Sequence, residues 1–196
     1  MKTRHLFLTG MLALAGAFAT PAVAQIAYAK GETDVHLGIG LLPTFYGSGY
    51  RVGLPPVSVS FERGVADNIG VGAFAAFSTA RTRKYDYLAG EYWWRYSYIL
   101  LCGRAAYHFQ LVDDEKLDTY AGAILGYRIG VSSFHSTDPN LDEDLFDADG
   151  GAGGTYGFFG GARYQATDKL RIFGEVGYGI AILNVGLNFK LAEGDK

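Results

Sequence analysis

The stretch ILNVGLNFKL, residues 182–191, decides the fold of this chain. From Leu183 onward every second residue is apolar, and the residues between them are Asn, Gly or Lys. Because successive side chains of an extended strand point to opposite faces, one face of this strand is wholly apolar and the other is polar or small. An apolar face directed inward would give a soluble sandwich or barrel, whereas an apolar face directed outward requires a lipid bilayer.

The first 24 residues form a segment distinct from the rest. Lys2 and Arg4 precede an apolar stretch, which a terminal Ala-Val-Ala closes with the small–x–small pattern of a cleavage site. The apolar run is shorter than the roughly 20 residues that a membrane-spanning helix needs. We therefore predict a signal peptide over residues 1–24, cleaved on export, and a single domain over residues 25–196.

The composition excludes some classes of function. Without the signal peptide, 15 of the 17 Lys and Arg residues remain against 20 Asp and Glu, a formal net charge of −5. This is not the basic surplus of a nucleic-acid-binding protein. No later apolar run approaches 18 residues, whereas 28 Gly and 15% aromatic residues favour strands over helices. The single cysteine, Cys102, is interpreted as a small buried side chain.

The same alternation of apolar and polar residues recurs along the chain and predicts eight strands. The strands are expected over residues 33–42, 55–64, 69–79, 93–109, 118–131, 155–165, 170–178 and 180–191.

The connections between these strands alternate in length. The short, polar ones cover residues 65–68, 110–117 and 166–169, and the long ones cover 43–54, 78–92 and 132–154. The long connections therefore gather at one end of the sheet, as in membrane barrels with short periplasmic turns and long outer loops. The sequence predicts an all-β fold, an eight-stranded antiparallel transmembrane β-barrel whose apolar faces meet lipid.

The polar faces of the strands carry charges of both signs. The lumen of an eight-stranded barrel is just wide enough for side chains to fill, so acids and bases there can pair. A sealed interior is therefore favoured over the alternative, a narrow path for ions or small solutes. The predicted interior charge network consists of Glu62, Arg104, His108, Arg128, Arg163, Arg171 and Glu175.

Large aromatic residues lie near strand ends, with small residues between them. Rings at these positions are typical of the aromatic girdles at the two membrane interfaces. The predicted girdle consists of Trp93, Trp94, Tyr107, Phe109, Tyr127, Tyr164, Tyr178 and Phe189.

Three segments carry a resemblance to a known family: RAAYHF (104–109), DDEKLDTYAGAILGY (113–127) and FGGARYQATDKLRIFGEVGYGIAILNVGLNFKL (159–191). With the signal peptide, they resemble the small bacterial outer-membrane β-barrel proteins of the OmpX and OmpA-barrel type, over almost the whole mature chain. The resemblance implies a location in the outer membrane, among its lipid and lipopolysaccharide. It also implies insertion by the barrel assembly machinery, which in that group reads an aromatic residue of the last strand, here Phe189.

The second long connection combines bases with aromatic residues. Tyr, Trp and Arg dominate binding hot spots, which favours a surface-interaction site for an extracellular partner. The alternative is an extension of the barrel wall whose bases meet lipid phosphates. The candidate residues are Arg81, Arg83, Lys84, Tyr85 and Tyr87.

Two further features give weaker signals. The acidic stretch 138–149 lacks the ligand spacing of an EF-hand calcium loop, so no metal or cofactor is predicted. His135 and Ser136 lie where some lipid A-modifying barrels carry a His and a Ser, but neighbours in a strand point to opposite sides. We therefore expect a non-enzymatic barrel with a structural or adhesion-like role. A small channel is the first alternative and a lipid A-modifying enzyme the second.

Overall fold

Eight long strands pair with their neighbours in antiparallel fashion and close into a barrel. The computed structural model describes residues 28–47, 49–87, 90–138 and 148–194, and the predicted signal peptide lies outside them. Strand β9 returns to pair with β1, and β3 pairs with β5, which closes the ring. The strands are β1 (Thr33–Pro43), β2 (Arg51–Ala66), β3 (Ile69–Arg81), β4 (Tyr85–Tyr87), β5 (Gly90–Phe109), β6 (Leu117–Ser136), β7 (Ala148–Gln165), β8 (Leu170–Tyr178) and β9 (Ala181–Ala192).

The apolar face of each barrel strand points outward. On β9, Leu187 is 41% exposed, whereas Asn188, the next residue, is fully buried. On β5, Leu101 is 53% exposed and Leu100 fully buried. A soluble protein cannot leave a continuous apolar outer wall to water, so lipid must cover it. The predicted fold class, an eight-stranded antiparallel transmembrane β-barrel, is confirmed. Within the described segments, no helix is long and apolar enough to cross a membrane.

Several strands extend further toward the end with the long connections than the sequence predicted. Strands β5 and β6 are 20 residues each, about twice the 9–11 residues that cross a bilayer. Strands β1, β8 and β9 have only 11, 9 and 12 residues, so one side of the barrel wall is tall and the other low. The extensions were missed because both of their faces lie beyond the lipid, where alternation is no longer required. Strand β4 was missed because three residues are too few to show a period.

Inward-facing glycines let neighbouring strands approach closely on the concave side of this narrow barrel. A Cβ placed on the inward-facing Gly72 of β3 would lie 1.7 Å from the carbonyl oxygen of Phe61, whereas a Cβ on the outward-facing Gly174 of β8 would meet no atom within 4 Å. We therefore expect Gly72→Ala to lower the free energy of unfolding by about 3 kcal/mol, the upper range for overpacking. Gly174→Ala should leave it unchanged or slightly raised. Urea titration of the folded barrel in lipid vesicles measures both, and equal effects would contradict this account of the glycines.

Candidate functional site

One half of the lumen, toward the short turns, is filled by ion pairs. Arg104 of β5 donates through Nε to Glu62 Oε2 at 3.1 Å and through Nη2 to Glu175 Oε1 at 2.7 Å. These three side chains come from β5, β2 and β8, so the pairs join strands that are not neighbours in the sheet. All three are buried.

A second arginine, Arg163, forms a similar set of hydrogen bonds nearby. Arg163 of β7 donates through Nη1 to Asp34 Oδ2 at 2.6 Å and through Nε to Asp118 Oδ2 at 2.5 Å. Arg171 of β8 reaches the same Asp34 oxygen at 3.2 Å and Glu32 Oε1 at 2.8 Å. Because burying an unpaired charge costs several kcal/mol, this density of pairing is what allows so many charges inside.

His108 joins the two sets. Its Nε2 lies 2.8 Å from Glu62 Oε1 and its Nδ1 lies 2.9 Å from Asp118 Oδ2. An ionised carboxylate only accepts hydrogen bonds. With Glu62 and Asp118 both ionised, both ring nitrogens donate, and this requires the cationic form of the ring. The described network is then electrically neutral, with five acids against five cations. Its members are Glu32, Asp34, Glu62, Asp118 and Glu175, and Arg104, His108, Arg163, Arg171 and Lys190.

Aromatic rings cover the network. The Tyr120 hydroxyl donates to Glu175 Oε1 at 2.9 Å, and the guanidinium of Arg104 lies 3.8 Å from the centre of the Phe159 ring. Tyr28, which precedes β1, is fully buried and stacks on His108 with ring centroids 4.4 Å apart. Residues 28–32 therefore fold back and cover this end of the lumen.

An apolar layer fills the lumen on the other side of the network. Its buried members come from β3, β5, β6 and the tight connection between β8 and β9, and Phe45 of the first long connection packs against them. Thr44 donates its backbone N–H to the Ile180 carbonyl at 3.1 Å, which ties the two connections together. A cavity of about 40 Å³ beside Arg104 and Glu175 has room for only a few waters. The buried members are Phe74, Ala76, Leu100, Cys102, Ile124 and Ile180.

Six of the seven predicted interior charges lie in the ion-pair network, and Arg128 does not. Arg128 lies four residues beyond Ile124 on β6, so the apolar layer separates it from Arg104, the register partner of Ile124. Its guanidinium instead lies 5.5 Å from the rings of Phe45 and Tyr98. The alternation of residues predicted the correct strand face for Arg128 but not its position along the barrel axis.

Several network residues were missed by sequence reasoning. Asp34 and Asp118 lie at the starts of the predicted strands 33–42 and 118–131, so continuing the alternation to the first residues of these strands would have placed them on the inward face. Tyr120 shares the inward face of β6 with Arg128 but carries no charge, so a search for interior charges does not find it. Glu32 and Tyr28 lie before β1, where no periodicity exists to reveal them.

The predicted girdle is only partly consistent with the strand faces. Trp93 and Trp94 are neighbours on β5 and point to opposite faces. Trp94 packs on Phe134 with ring centroids 5.0 Å apart, on the inner side of the sheet, so the inclusion of Trp94 in a lipid-facing girdle was wrong. Trp93 stacks on His135 on the outer side. The other six predicted residues lie on outward faces: Tyr107, Phe109, Tyr127, Tyr164, Tyr178 and Phe189.

The candidate surface-interaction residues lie where β3 ends and the β4–β5 hairpin begins. Arg81, Arg83 and Lys84 are exposed and line a cleft of about 290 Å³ together with Arg51 and Thr82. Lys84 forms an exposed ion pair with Glu91, with Nζ 2.5 Å from Oε2. Tyr85 stacks on Tyr92 of the adjacent strand, and Tyr87 is the last residue of β4.

The residues considered for lipid A chemistry do not form a nucleophile and base. His135 stacks on Trp93 on one face of β6, whereas Ser136 is on the opposite face and accepts a hydrogen bond from the Asp138 backbone N–H at 3.1 Å. Among the described residues, no group of three or more His, Cys, Asp or Glu side chains could hold a metal ion. Most of the acidic stretch 138–149 lies outside the described residues.

Comparison with known proteins gives matches to solved structures only. No protein-family model and no curated protein matches the chain. The crystal structure of Ail, the attachment invasion locus protein of Yersinia pestis, is 13% identical with a TM-score of 0.41, over 83% of this chain and 95% of that chain. The N-terminal β-barrel domain of Pseudomonas aeruginosa OprF is 15% identical with a TM-score of 0.42, over 83% and 99%. Similarity this low assigns no function.

The architecture by itself defines the class of protein. A closed ring of eight antiparallel strands, an apolar outer wall, a charged lumen and short turns at one end together describe a small transmembrane β-barrel. This is the kind of barrel found in bacterial outer membranes, as the resemblance in sequence implied.

Proposed function

We propose that this protein is a sealed, non-enzymatic outer-membrane barrel that acts through its outer surface, where it binds an anionic partner. The single observation that carries the proposal is that the lumen is filled while the strands continue far beyond the membrane. Lumen closure argues against transport, and the protruding sheet supplies a surface outside the bilayer.

Two chemically different layers fill the lumen, one after the other along the barrel axis. An ion would have to break buried pairs such as Arg163–Asp34 and then pass the apolar layer around Leu100, where it would lose its hydration. Neither layer alone leaves a continuous water path in the described residues. The first alternative, a small channel, therefore requires both layers to open.

The protruding sheet carries cations that lack a compensating acid. Arg51, Arg81, Arg83 and Arg95 are all exposed, and none forms an ion pair with another described residue. The mature chain as a whole is acidic, so this local excess of positive charge favours anionic ligands. Aromatic neighbours such as Tyr85 and Trp93 add flat apolar surface beside the charges.

The test combines conductance with binding of the mature, folded protein. In planar bilayers we expect no discrete conductance steps. In solid-phase binding we expect the barrel to bind immobilised dextran sulfate but not neutral dextran, and Arg83→Ser with Lys84→Ser to weaken this binding about tenfold, since each removes a charge-assisted contact.

The matched control removes the same charge from the opposite end, with Lys116→Ser and Lys169→Ser, and should bind like the unmodified protein. Reproducible conductance steps that are altered by Arg104→Ala or Glu175→Ala would contradict the sealed barrel and favour the small channel. Equal binding to dextran sulfate and neutral dextran would contradict the proposal that the partner is anionic.

A further inference from the structure

Three arginines lie side by side across three strands of the tall wall. Arg51 of β2 is the register partner of Arg81 of β3, which is in turn the partner of Arg95 of β5. Directly opposed residues have Cβ atoms only about 4.5–5.5 Å apart, and like charges in that position repel. All three side chains are exposed on the outward face of the sheet. We call them the arginine row.

No acid of the described chain neutralises the arginine row. Inside the barrel, each of Arg104, Arg163 and Arg171 contacts at least one carboxylate. On the outside, the row adjoins the cleft of about 290 Å³ whose other lining residues include Arg83 and Lys84. A cluster of cations without a counter-charge, beside a cleft, is the arrangement expected for an anion supplied from outside the chain.

The height of the arginine row on the barrel indicates where that anion comes from. Below the row, the outward residues of β3 and β5 are first Thr79 and Ser97, then Phe77 and Ile99 of the apolar wall. The row lies four positions beyond Phe77 and Ile99, about 13 Å along a strand and roughly 10 Å in height at the usual strand tilt. The headgroup layer extends about 5–8 Å beyond the hydrocarbon. The backbone of the row therefore lies at the outer edge of this layer, and the long arginine side chains can reach back into it.

We propose that Arg51, Arg81 and Arg95 form a binding site for the phosphate groups of an outer-leaflet glycolipid, a phosphorylated sugar carrying acyl chains. The proposal rests on the proposed function, because it names the anionic ligand of the same cationic surface. Guanidinium groups bind phosphate through two parallel hydrogen bonds, and neighbouring guanidiniums can bridge one phosphate. The acyl chains of such a lipid would lie against Phe77, Ile99 and the apolar wall below.

The test uses the folded mature protein in neutral detergent micelles, titrated with diphosphoryl lipid A and with the same lipid after removal of both phosphates. The unmodified protein should bind the phosphorylated lipid about tenfold or more tightly than the other, as expected for charge-assisted contacts. The combined variant Arg51→Gln, Arg81→Gln and Arg95→Gln should lose this preference. The control variant Arg63→Gln, Lys116→Gln and Lys169→Gln removes equal charge near the short turns and should keep it.

A second measurement separates a lipid site from general charge loss. Without phosphorylated lipid, Arg81→Gln relieves repulsion in the arginine row and should raise the urea midpoint of unfolding. With diphosphoryl lipid A present, the same variant should show a lower midpoint than the unmodified protein, because ligand binding no longer stabilises it.

The outcomes distinguish this proposal from the broader one. If the unmodified protein shows no preference for the phosphorylated lipid, or the row variant retains it, the lipid site is excluded. Binding to dextran sulfate in either of those cases would leave the anionic surface partner in place. Displacement of lipid A by free inorganic phosphate at equal concentration would show that the site takes phosphate alone and would overturn the lipid assignment.

Discussion

An Arg163→Met variant is expected to lose about 3–5 kcal/mol of folding free energy, the usual cost of breaking a buried ion pair. Arg163 is 1% exposed and holds both Asp34 and Asp118. Met is shorter than Arg but has a similar volume and no charge, so the substitution removes the two bonds with little change in volume. Arg171 still contacts Asp34 and His108 still contacts Asp118, but the network then carries one unmatched negative charge.

The measurement is the urea midpoint of the barrel folded in lipid vesicles. Lys84→Met provides the control, because the Lys84–Glu91 pair has an equally short distance but is nearly half exposed. An exposed pair contributes about 0–1 kcal/mol, so this variant should unfold almost like the unmodified protein. Adding Asp118→Asn to Arg163→Met should restore part of the loss. Similar losses in both single variants would show that the interior charges are hydrated rather than paired.

Leu100→Ala is expected to have the second large effect, a loss of about 3–5 kcal/mol. Leu100 is fully buried at the centre of the apolar layer, so truncation removes its transfer free energy and also leaves a cavity. The adjacent Leu101 is 53% exposed to the membrane side. Leu101→Ala loses the transfer contribution alone, about 2 kcal/mol, because lipid chains fill the space that the side chain leaves.

Urea titration of the two leucine variants under identical conditions checks this difference. The chemical change is the same and the positions differ by one residue, so only the direction of the side chain separates them. A larger loss from Leu101→Ala would mean that the lumen is loosely packed at Leu100, and it would reopen the channel alternative.

Strand faces were predictable from the sequence because a bilayer imposes a strict two-residue period on the residues that cross it. The assignment of Leu187 and Leu101 to lipid, and of Arg104 and Glu175 to the lumen, needed only that period. Height was not predictable, since tilt and register stagger decide which inward residues meet. Arg128 shares a face with network residues yet lies beyond the apolar layer.

The arginine row illustrates the same limit on the outer surface. Arg51, Arg81 and Arg95 are scattered in the sequence, and only the pairing of β2 with β3 and of β3 with β5 brings them together. The pairing of β2 with β3 also contains register shifts between Val52 and Val57, and no pattern in the sequence predicts these shifts. Tyr28 was equally hidden, because its place in the lumen depends on tertiary contacts alone.

The ion-pair network also determines the stage of folding at which the charged groups in the lumen lose their bound water. Asp34 and Arg163 are 129 residues apart in the chain, and Glu32 and Arg171 are 139 apart. Until β9 meets β1, Asp34 and Glu32 are apart from Arg163 and Arg171 and keep their hydration, whereas Arg163 already lies opposite Asp118 on the adjacent strand β6. Closure brings opposite charges together at once and expels that water. A half-closed sheet therefore carries unpaired charges, which have a high free energy in lipid. The closed barrel pairs them and is stable there.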